Sequence, residues 1–184
     1  LNNKVLQLSN WIDKEKNLIL SITILSLFFI VFYSFISIHR HGNFFSHFDL
    51  GVFDQIIWKI SRFQAPLSTI AGGHFFGYHF TPVLYLLAPL YWLWDNVNIL
   101  LIVQVIILIL GIIPIYLLCK LKKIEPHLIL LLIFLYSIFP GLQALIVFDF
   151  HEVAFFPLFF LSAVYFFEKK KWFYYFLFIL LLIL

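Results

Sequence analysis

Three long apolar runs limit the folds that this chain can adopt. Residues 18–38, 99–118 and 128–148 each hold about 20 residues without a charge, the length that a helix needs to cross a bilayer. The backbone must be helical there, because lipid offers no hydrogen-bond partner to N–H and C=O groups. Only 11% of all residues are charged and 64% are hydrophobic. We therefore predict an all-α integral membrane protein, a polytopic helix bundle, and we exclude soluble and nucleic-acid-binding proteins.

Two shorter apolar runs follow. Residues 153–167 are too few to span a membrane unless their helix starts near Asp149, so we predict an outer turn and a fourth span over residues 149–167. Residues 172–184 stop well short of a span, and the chain contains no methionine. The sequence thus predicts a truncated fifth span, and an N-terminal fragment of a larger membrane domain.

Basic residues are unevenly divided between the two ends of these runs. Arg40, Lys59 and Arg62 lie at one end, and the lysines at the other end are Lys4, Lys14, Lys16, Lys120, Lys122, Lys123, Lys169, Lys170 and Lys171. Because loops rich in Lys and Arg stay in the cytoplasm, residues 119–127 and 168–171 are predicted to be cytoplasmic loops. Residues 1–17 show apolar residues at helical spacing and are predicted to be a cytoplasmic amphipathic segment. We expect a multi-pass protein of the plasma membrane, with its N-terminus in the cytoplasm and the lipid bilayer as its first partner.

Residues 39–98 then form an outer loop with two interfacial helices. The first is predicted over residues 49–63, where apolar residues form one stripe and Gln55, Lys59 and Arg62 another. The second, over residues 82–94, opens with Pro82 at its first position and is expected to kink at Pro89. It is too short to cross the membrane, and its Trp and Tyr rings suit the headgroup level.

With this topology the outer loop and the outer turn hold most of the acidic residues and histidines. These are His39, His41, His47, Asp49, Asp54, His74, His79, Asp95, Asp149, His151 and Glu152. Carboxylates and imidazoles gathered at one membrane face can serve as a general base, as ligands of a divalent cation or as a proton relay. Their spacing in the sequence leaves all three roles open.

Several of these residues also have structural interpretations. Asp49 can be an acid in the first turn of a helix that Ser46 helps to cap, and Asp149 can cap a helix to which Glu152 reaches back. The second interpretation leaves His151 without a role. Gln104 lies inside an apolar span, and we expect it to form a hydrogen bond between helices.

Three stretches together resemble a known family. They read HFDLGVFDQ at residues 47–55, HFTP at residues 79–82 leading into LLAPLY at residues 86–91, and DFHE at residues 149–152 before a run that ends in KKKW at residues 169–172. This pattern resembles a large prokaryotic family of predicted membrane proteins of unknown function. That family is similar to the GT-C superfamily of membrane glycosyltransferases, which use polyprenyl-phosphate-linked sugars.

The resemblance implies a GT-C-like bundle and an enzyme that transfers a sugar from a lipid phosphate carrier to an unidentified acceptor at the outer membrane face. Asp49 matches the catalytic aspartate of the first outer loop, although Leu50 follows it where many GT-C enzymes have a second acid. Further expected roles are substrate binding by His79, Lys59, Arg62 and His151, with Asp149 and Glu152 as ligands of a divalent metal ion. Two alternatives stay open, a transporter or lipid flippase with an outer acid and histidine site, and a non-catalytic membrane protein.

Overall fold

The structure is a computed structural model that describes residues 2–46 and 48–183, with side chains from Asp13 onward. His47, which belongs to the first of the three family-like stretches, lies outside the described residues. So do Leu1 and Leu184, and the side chains on which the predicted amphipathic pattern of residues 1–17 depends.

Nine helices and one short β-hairpin make up the described part of the chain. The helices are α1 (Asn2–Gly42), α2 (Phe48–Ser61), α3 (Leu90–Leu93), α4 (Asn98–Leu110), α5 (Ile112–Leu121), α6 (Pro126–Ser137), α7 (Pro140–Val147), α8 (Phe155–Glu168) and α9 (Trp172–Ile183). Strands β1 (Leu67–Ser68) and β2 (Gly73–His74) pair antiparallel, with Leu67 opposite His74. The prediction of an all-α protein is therefore confirmed.

Two helical segments are long and apolar enough to cross a membrane, and a third qualifies as a bent pair. The first runs from Asp13 to Gly42, within α1, and the second from Asn98 to Leu121, where Gly111 separates α4 from α5. The third joins α6 and α7, which meet at an angle of 40° because Pro140 begins a new helix. These three segments cover the three long apolar runs of the sequence.

Two features of the chain differ from the predicted boundaries. Helix α1 continues through the predicted amphipathic segment into the first span, since residues 2–41 contain neither glycine nor proline to interrupt it. The predicted outer turn is longer than expected, because Asp149 and Phe150 are not helical and a 3₁₀ turn over Glu152–Ala154 precedes α8. Helices α8 and α9 then pack side by side as a hairpin of two short apolar helices.

The outer loop contains the two predicted helical regions in altered form. Helix α2 ends at Ser61, two residues before Phe63, which has a left-handed backbone (φ 58°). The second region divides into a 3₁₀ helix over Pro82–Leu86 and the single turn of α3, with Pro89 directly before α3. Because proline has no backbone N–H to donate, the predicted kink at Pro89 becomes a break in the helix.

Two apolar clusters hold the structure together. One lies under the outer loop and packs α2 against the start of α4, with Ile56, Leu84, Leu100 and Phe150 fully buried. The other lies between α1, α4, α5, α6 and α7. The bundle thus has a loop end, which carries α2 and the outer turn, and a lysine end, which carries Lys14, Lys120, Lys122 and Lys123.

Candidate functional site

A cavity of about 260 Å³ opens at the loop end between α2, the 3₁₀ turn at Phe75–Gly77 and the outer turn. Its polar lining consists of Asp49, Tyr78, His79, His151 and Glu152, and its other lining residues are Phe48, Val52, Phe53, Ala71 and Phe75. We call this cavity the loop-end pocket. It brings together residues from three separate parts of the sequence, among them four of the predicted site residues.

Asp49 and His151 face each other inside the loop-end pocket. Asp49 stands in the first turn of α2, as the sequence suggested, and its Oδ2 lies 3.8 Å from Nε2 of His151. That distance is longer than a hydrogen bond, but catalytic contacts are often long before a substrate is bound. The imidazole is held from two sides, because the rings of Phe53 and Phe148 each lie 5.4 Å from it. The pair is therefore an acid and an imidazole kept at near-contact by packing.

His79 approaches the same pocket from the other wall. Its ring stacks on Phe75 at 5.7 Å, and its backbone N–H donates to the carbonyl of Phe75 at 2.9 Å. The side chain is exposed, so one edge of the imidazole remains available to a ligand.

Gln104 of α4 holds the outer turn in place. It is 1% exposed, and its Nε2 donates to the carbonyls of Leu145 (2.7 Å) and Asp149 (3.2 Å). Its Oε1 accepts a hydrogen bond from the backbone N–H of His151 at 2.7 Å. The predicted hydrogen bond between helices is confirmed, and it fixes the backbone that carries His151. This positioning role is not deduced from the sequence, where the only sign is a single amide in an apolar span.

Asp149 joins the outer turn to α2. It is 2% exposed, and its Oδ2 accepts a hydrogen bond from the backbone N–H of Leu50 at 3.4 Å. Because Leu50 is in the first turn of α2, Asp149 compensates a helix N-terminus that is distant in sequence. The sequence suggested Asp149 as the cap of its own turn, but the capping position there is His151, which makes no side-chain cap bond. Ser46, which the sequence suggested as a cap of α2, shares a hydrogen bond of 2.7 Å between its hydroxyl and Nδ1 of His41.

The described part of the structure shows no group of donors that matches the predicted metal site at Asp149 and Glu152. Among the described residues, no three His, Cys, Asp or Glu side chains lie close enough together to hold a metal ion. The Asp149 carboxylate is directed at the α2 amide, whereas Glu152 lines the pocket.

Glu152 lies between the loop-end pocket and a second cavity. This second cavity also measures about 260 Å³ and is lined mainly by apolar residues: Phe80, Val83, Val153, Phe155, Phe156, Phe159, Leu181, Leu182 and Ile183. We call it the apolar groove. Oε2 of Glu152 and Nδ1 of His151 are buried and have no hydrogen-bond partner among the described residues. Buried polar atoms usually have hydrogen-bond partners, so a ligand that brings a polar group to this point would supply the partners that these two atoms lack.

Lys59 lies near the end of α2 and Arg62 directly follows that helix, and neither lines the loop-end pocket. Nζ of Lys59 donates to the carbonyl of Leu67 at 2.6 Å. Arg62 pairs with Asp95 at 2.8 Å, and its guanidinium lies 5.5 Å from the ring centre of Trp58. Their predicted contact with a carrier phosphate stays a prediction.

Asp54 occupies the far side of α2, where the hydroxyl of Tyr91 donates to its Oδ1 at 2.6 Å. Burial raises the pKa of Asp54 above its ordinary 3.8, and the nearby Asp95 adds to this, while Tyr91 and His41 act in the opposite direction. The pKa of Tyr91 is raised as well, by burial and by the Asp54 carboxylate. Because the folded protein binds this proton more tightly than the unfolded chain does, the stability from Asp54 is present below its unfolded pKa. It is lost as the pH rises through the raised folded pKa.

Tyr91→Phe is expected to destabilise the protein more at neutral pH than near pH 4. Removing the hydroxyl leaves a partly buried carboxylate without its donor once Asp54 is ionised, at a cost of roughly 1.5–3 kcal/mol. The measurement is the melting temperature against pH for the wild type, Tyr91→Phe and Asp54→Asn. In a third variant that combines Tyr91→Phe with Asp54→Asn, the pH-dependent part of the loss should vanish. An equal loss at both pH values in Tyr91→Phe would contradict this account.

Comparison with known proteins identifies a family that this chain matches. A sequence model of the family described as a predicted membrane protein, DUF2079, matches residues 40–184, which is most of the chain and includes all residues of the loop-end pocket. Searches of curated proteins and of solved structures gave no match.

Proposed function

Since the chain belongs to DUF2079, a family of predicted membrane proteins of unknown function, we propose that its loop-end pocket transfers a sugar from a lipid phosphate carrier to an acceptor hydroxyl. The loop-end pocket would bind the sugar and the acceptor, and the apolar groove would bind the first part of the lipid chain. The polyprenyl phosphate class of carrier follows from the resemblance to GT-C enzymes described above.

One observation carries this proposal: a pocket lined by Asp49, His79 and His151 and a groove lined mainly by apolar side chains share Glu152. A substrate that fills both must itself have a polar head and an apolar chain, because each part needs a matching environment. A sugar linked through phosphate to a lipid has this form. Its hydroxyls would donate to Oε2 of Glu152 and exchange hydrogen bonds with Nδ1 of His151, two of the four buried side-chain atoms without partners among the described residues.

The proposed reaction gives roles to three polar residues of the pocket. Asp49 accepts the proton of the acceptor hydroxyl, while the oxygen of that hydroxyl bonds to the anomeric carbon of the sugar. The bond between that carbon and the phosphate oxygen breaks, and the lipid phosphate leaves with the electron pair. His151, at 3.8 Å from Asp49, orients the carboxylate and helps to hold the acceptor. His79, on the opposite wall of the pocket, would donate to the carrier phosphate.

A transporter would need polar groups near the middle of its spans. Among the described residues, the most polar buried side chain of the second candidate span is Gln104, and its amide is engaged by Leu145, Asp149 and His151. No specific contact therefore favours transport over transfer.

The proposal is tested with the full chain in lipid vesicles and a radiolabelled polyprenyl-phosphate sugar. We expect label to move to an acceptor fraction, and we expect the same sugar phosphate without its lipid chain to react at least 100-fold more slowly, since remote binding energy contributes to the rate (about 2.7 kcal/mol). Equal rates for the two donors would contradict the role of the apolar groove. Absence of transfer from a panel of polyprenyl-phosphate sugars and acceptors would contradict the proposal itself.

A further inference from the structure

An amphipathic groove lies at the lysine end of the bundle, away from the loop-end pocket. Two adjoining cavities of about 360 and 430 Å³ share Lys14, Leu18, Glu125 and Pro126 as lining residues. They lie between the first turns of the α1 span and the connection from α5 to α6. We call them together the lysine-end groove.

The mouth of this groove carries more positive than negative charge. Its charged lining consists of Lys14, Glu15, Lys120, Lys123 and Glu125. Glu15 is occupied within the protein, because Nζ of Lys120 lies 2.5 Å from its Oε2 and the hydroxyl of Tyr116 donates to its Oε1. Lys14 belongs to α1 and Lys123 to the turn that follows α5; both are exposed and border the same cavity. Two ammonium groups that border one cavity suit a single phosphodiester.

The floor of the groove is apolar and continues toward the membrane. Leu18 and Ile129 line it and are buried in the core, and Leu130 extends the lining along α6. Because α1 and α6 belong to candidate spans, the groove begins where headgroups lie and leads along the hydrocarbon region. A free phosphate ion would use only the mouth, whereas a phospholipid would use the mouth and the floor.

We propose that the lysine-end groove binds an anionic membrane phospholipid, with the phosphate at Lys14 and Lys123. The first acyl carbons lie along α6 at Leu130, over the buried Leu18 and Ile129. Glu125 at the mouth accepts hydrogen bonds from hydroxyls of the headgroup, which favours a glycerol headgroup over a choline one. This site is independent of the transfer reaction, since it shares no residue with the loop-end pocket.

The test titrates phosphatidylglycerol, phosphatidylcholine and inorganic phosphate into the delipidated full chain in detergent. Bound lipid is counted by native mass spectrometry, and the melting temperature is followed in parallel. We expect phosphatidylglycerol to bind and stabilise, and the double variant Lys14→Gln/Lys123→Gln to bind it about 25-fold more weakly, at about fivefold for each lysine. Both side chains are exposed, so the variant should fold.

A matched pair of lysines provides the control. Lys169→Gln/Lys171→Gln removes the same charge from the connection between α8 and α9, which does not line the groove. This variant should keep its phosphatidylglycerol affinity within about twofold. The proposal is overturned if the control loses as much as the groove variant, if phosphatidylcholine binds equally well, or if inorganic phosphate stabilises as strongly as the lipid.

Discussion

Asp49→Asn is expected to slow sugar transfer by about 10²–10⁴-fold, the usual contribution of a general base. The amide has nearly the same shape as the carboxylate and keeps an acceptor oxygen toward His151, but it cannot take a proton from the acceptor hydroxyl. The carboxylate is 38% exposed, so the substitution should leave the fold intact. The measurement is the initial rate of label transfer in vesicles, with the melting temperature recorded for each variant.

Asp95→Asn is the matched control for this prediction. Asp95 is another exposed acid at the loop end, but it pairs with Arg62 and does not line the loop-end pocket. Its variant should retain the wild-type rate. A full rate in Asp49→Asn would remove Asp49 from catalysis, and an equal loss in both variants would point to the general charge of the loop end.

Gln104→Leu should lower both the stability and the transfer rate. Leucine leaves the buried N–H of His151 and the carbonyl of Asp149 without the amide, and each buried group without a partner costs about 1–3 kcal/mol. The outer turn should then relax and move His151 relative to Asp49. A shift of about 1 Å in a positioned group can cost roughly 100-fold in rate.

Gln143→Leu separates the positioning effect from a loss of stability. Gln143 is also a glutamine between helices, and its Nε2 donates to Tyr33 and to the carbonyl of Ile138, away from the outer turn. At a temperature well below both melting transitions, Gln143→Leu should transfer sugar at a near-normal rate while Gln104→Leu does not. If both variants fall equally, Gln104 has no specific role in placing His151.

The fold could be predicted largely from the apolar runs, because their length has one physical meaning in a bilayer. The break at Gly111 and the angle at Pro140 are harder to predict, since glycine and proline are tolerated in spans when neighbouring helices satisfy the backbone. At Gly111 a side chain would meet the hydroxyl of Tyr136, which donates to the carbonyl of Leu108. Such a contact between α4 and α6 depends on packing that periodicity does not describe.

The sequence predicts which residues gather at the candidate site better than it predicts the partners that they contact. The gathering of Asp49, His79, His151 and Glu152 followed from placing their segments on one membrane face. The sequence could not show that Asp149 compensates the distant start of α2, because local capping patterns look the same whichever helix an aspartate serves. Likewise, the partners of Lys59 and Arg62 are Leu67 and Asp95, which depend on how the loop folds back.

The central claim, that the loop-end pocket and the apolar groove hold one lipid-linked sugar, is tested most directly by photolabelling. A polyprenyl-phosphate sugar with a photoreactive group near the phosphate would be irradiated with the full chain in vesicles, and labelled positions would be read by mass spectrometry. We expect label on Phe80, Val83 and Phe156, removed by excess unlabelled donor. Label spread along the exposed face of α1, or confined to the lysine-end groove, would contradict the claim.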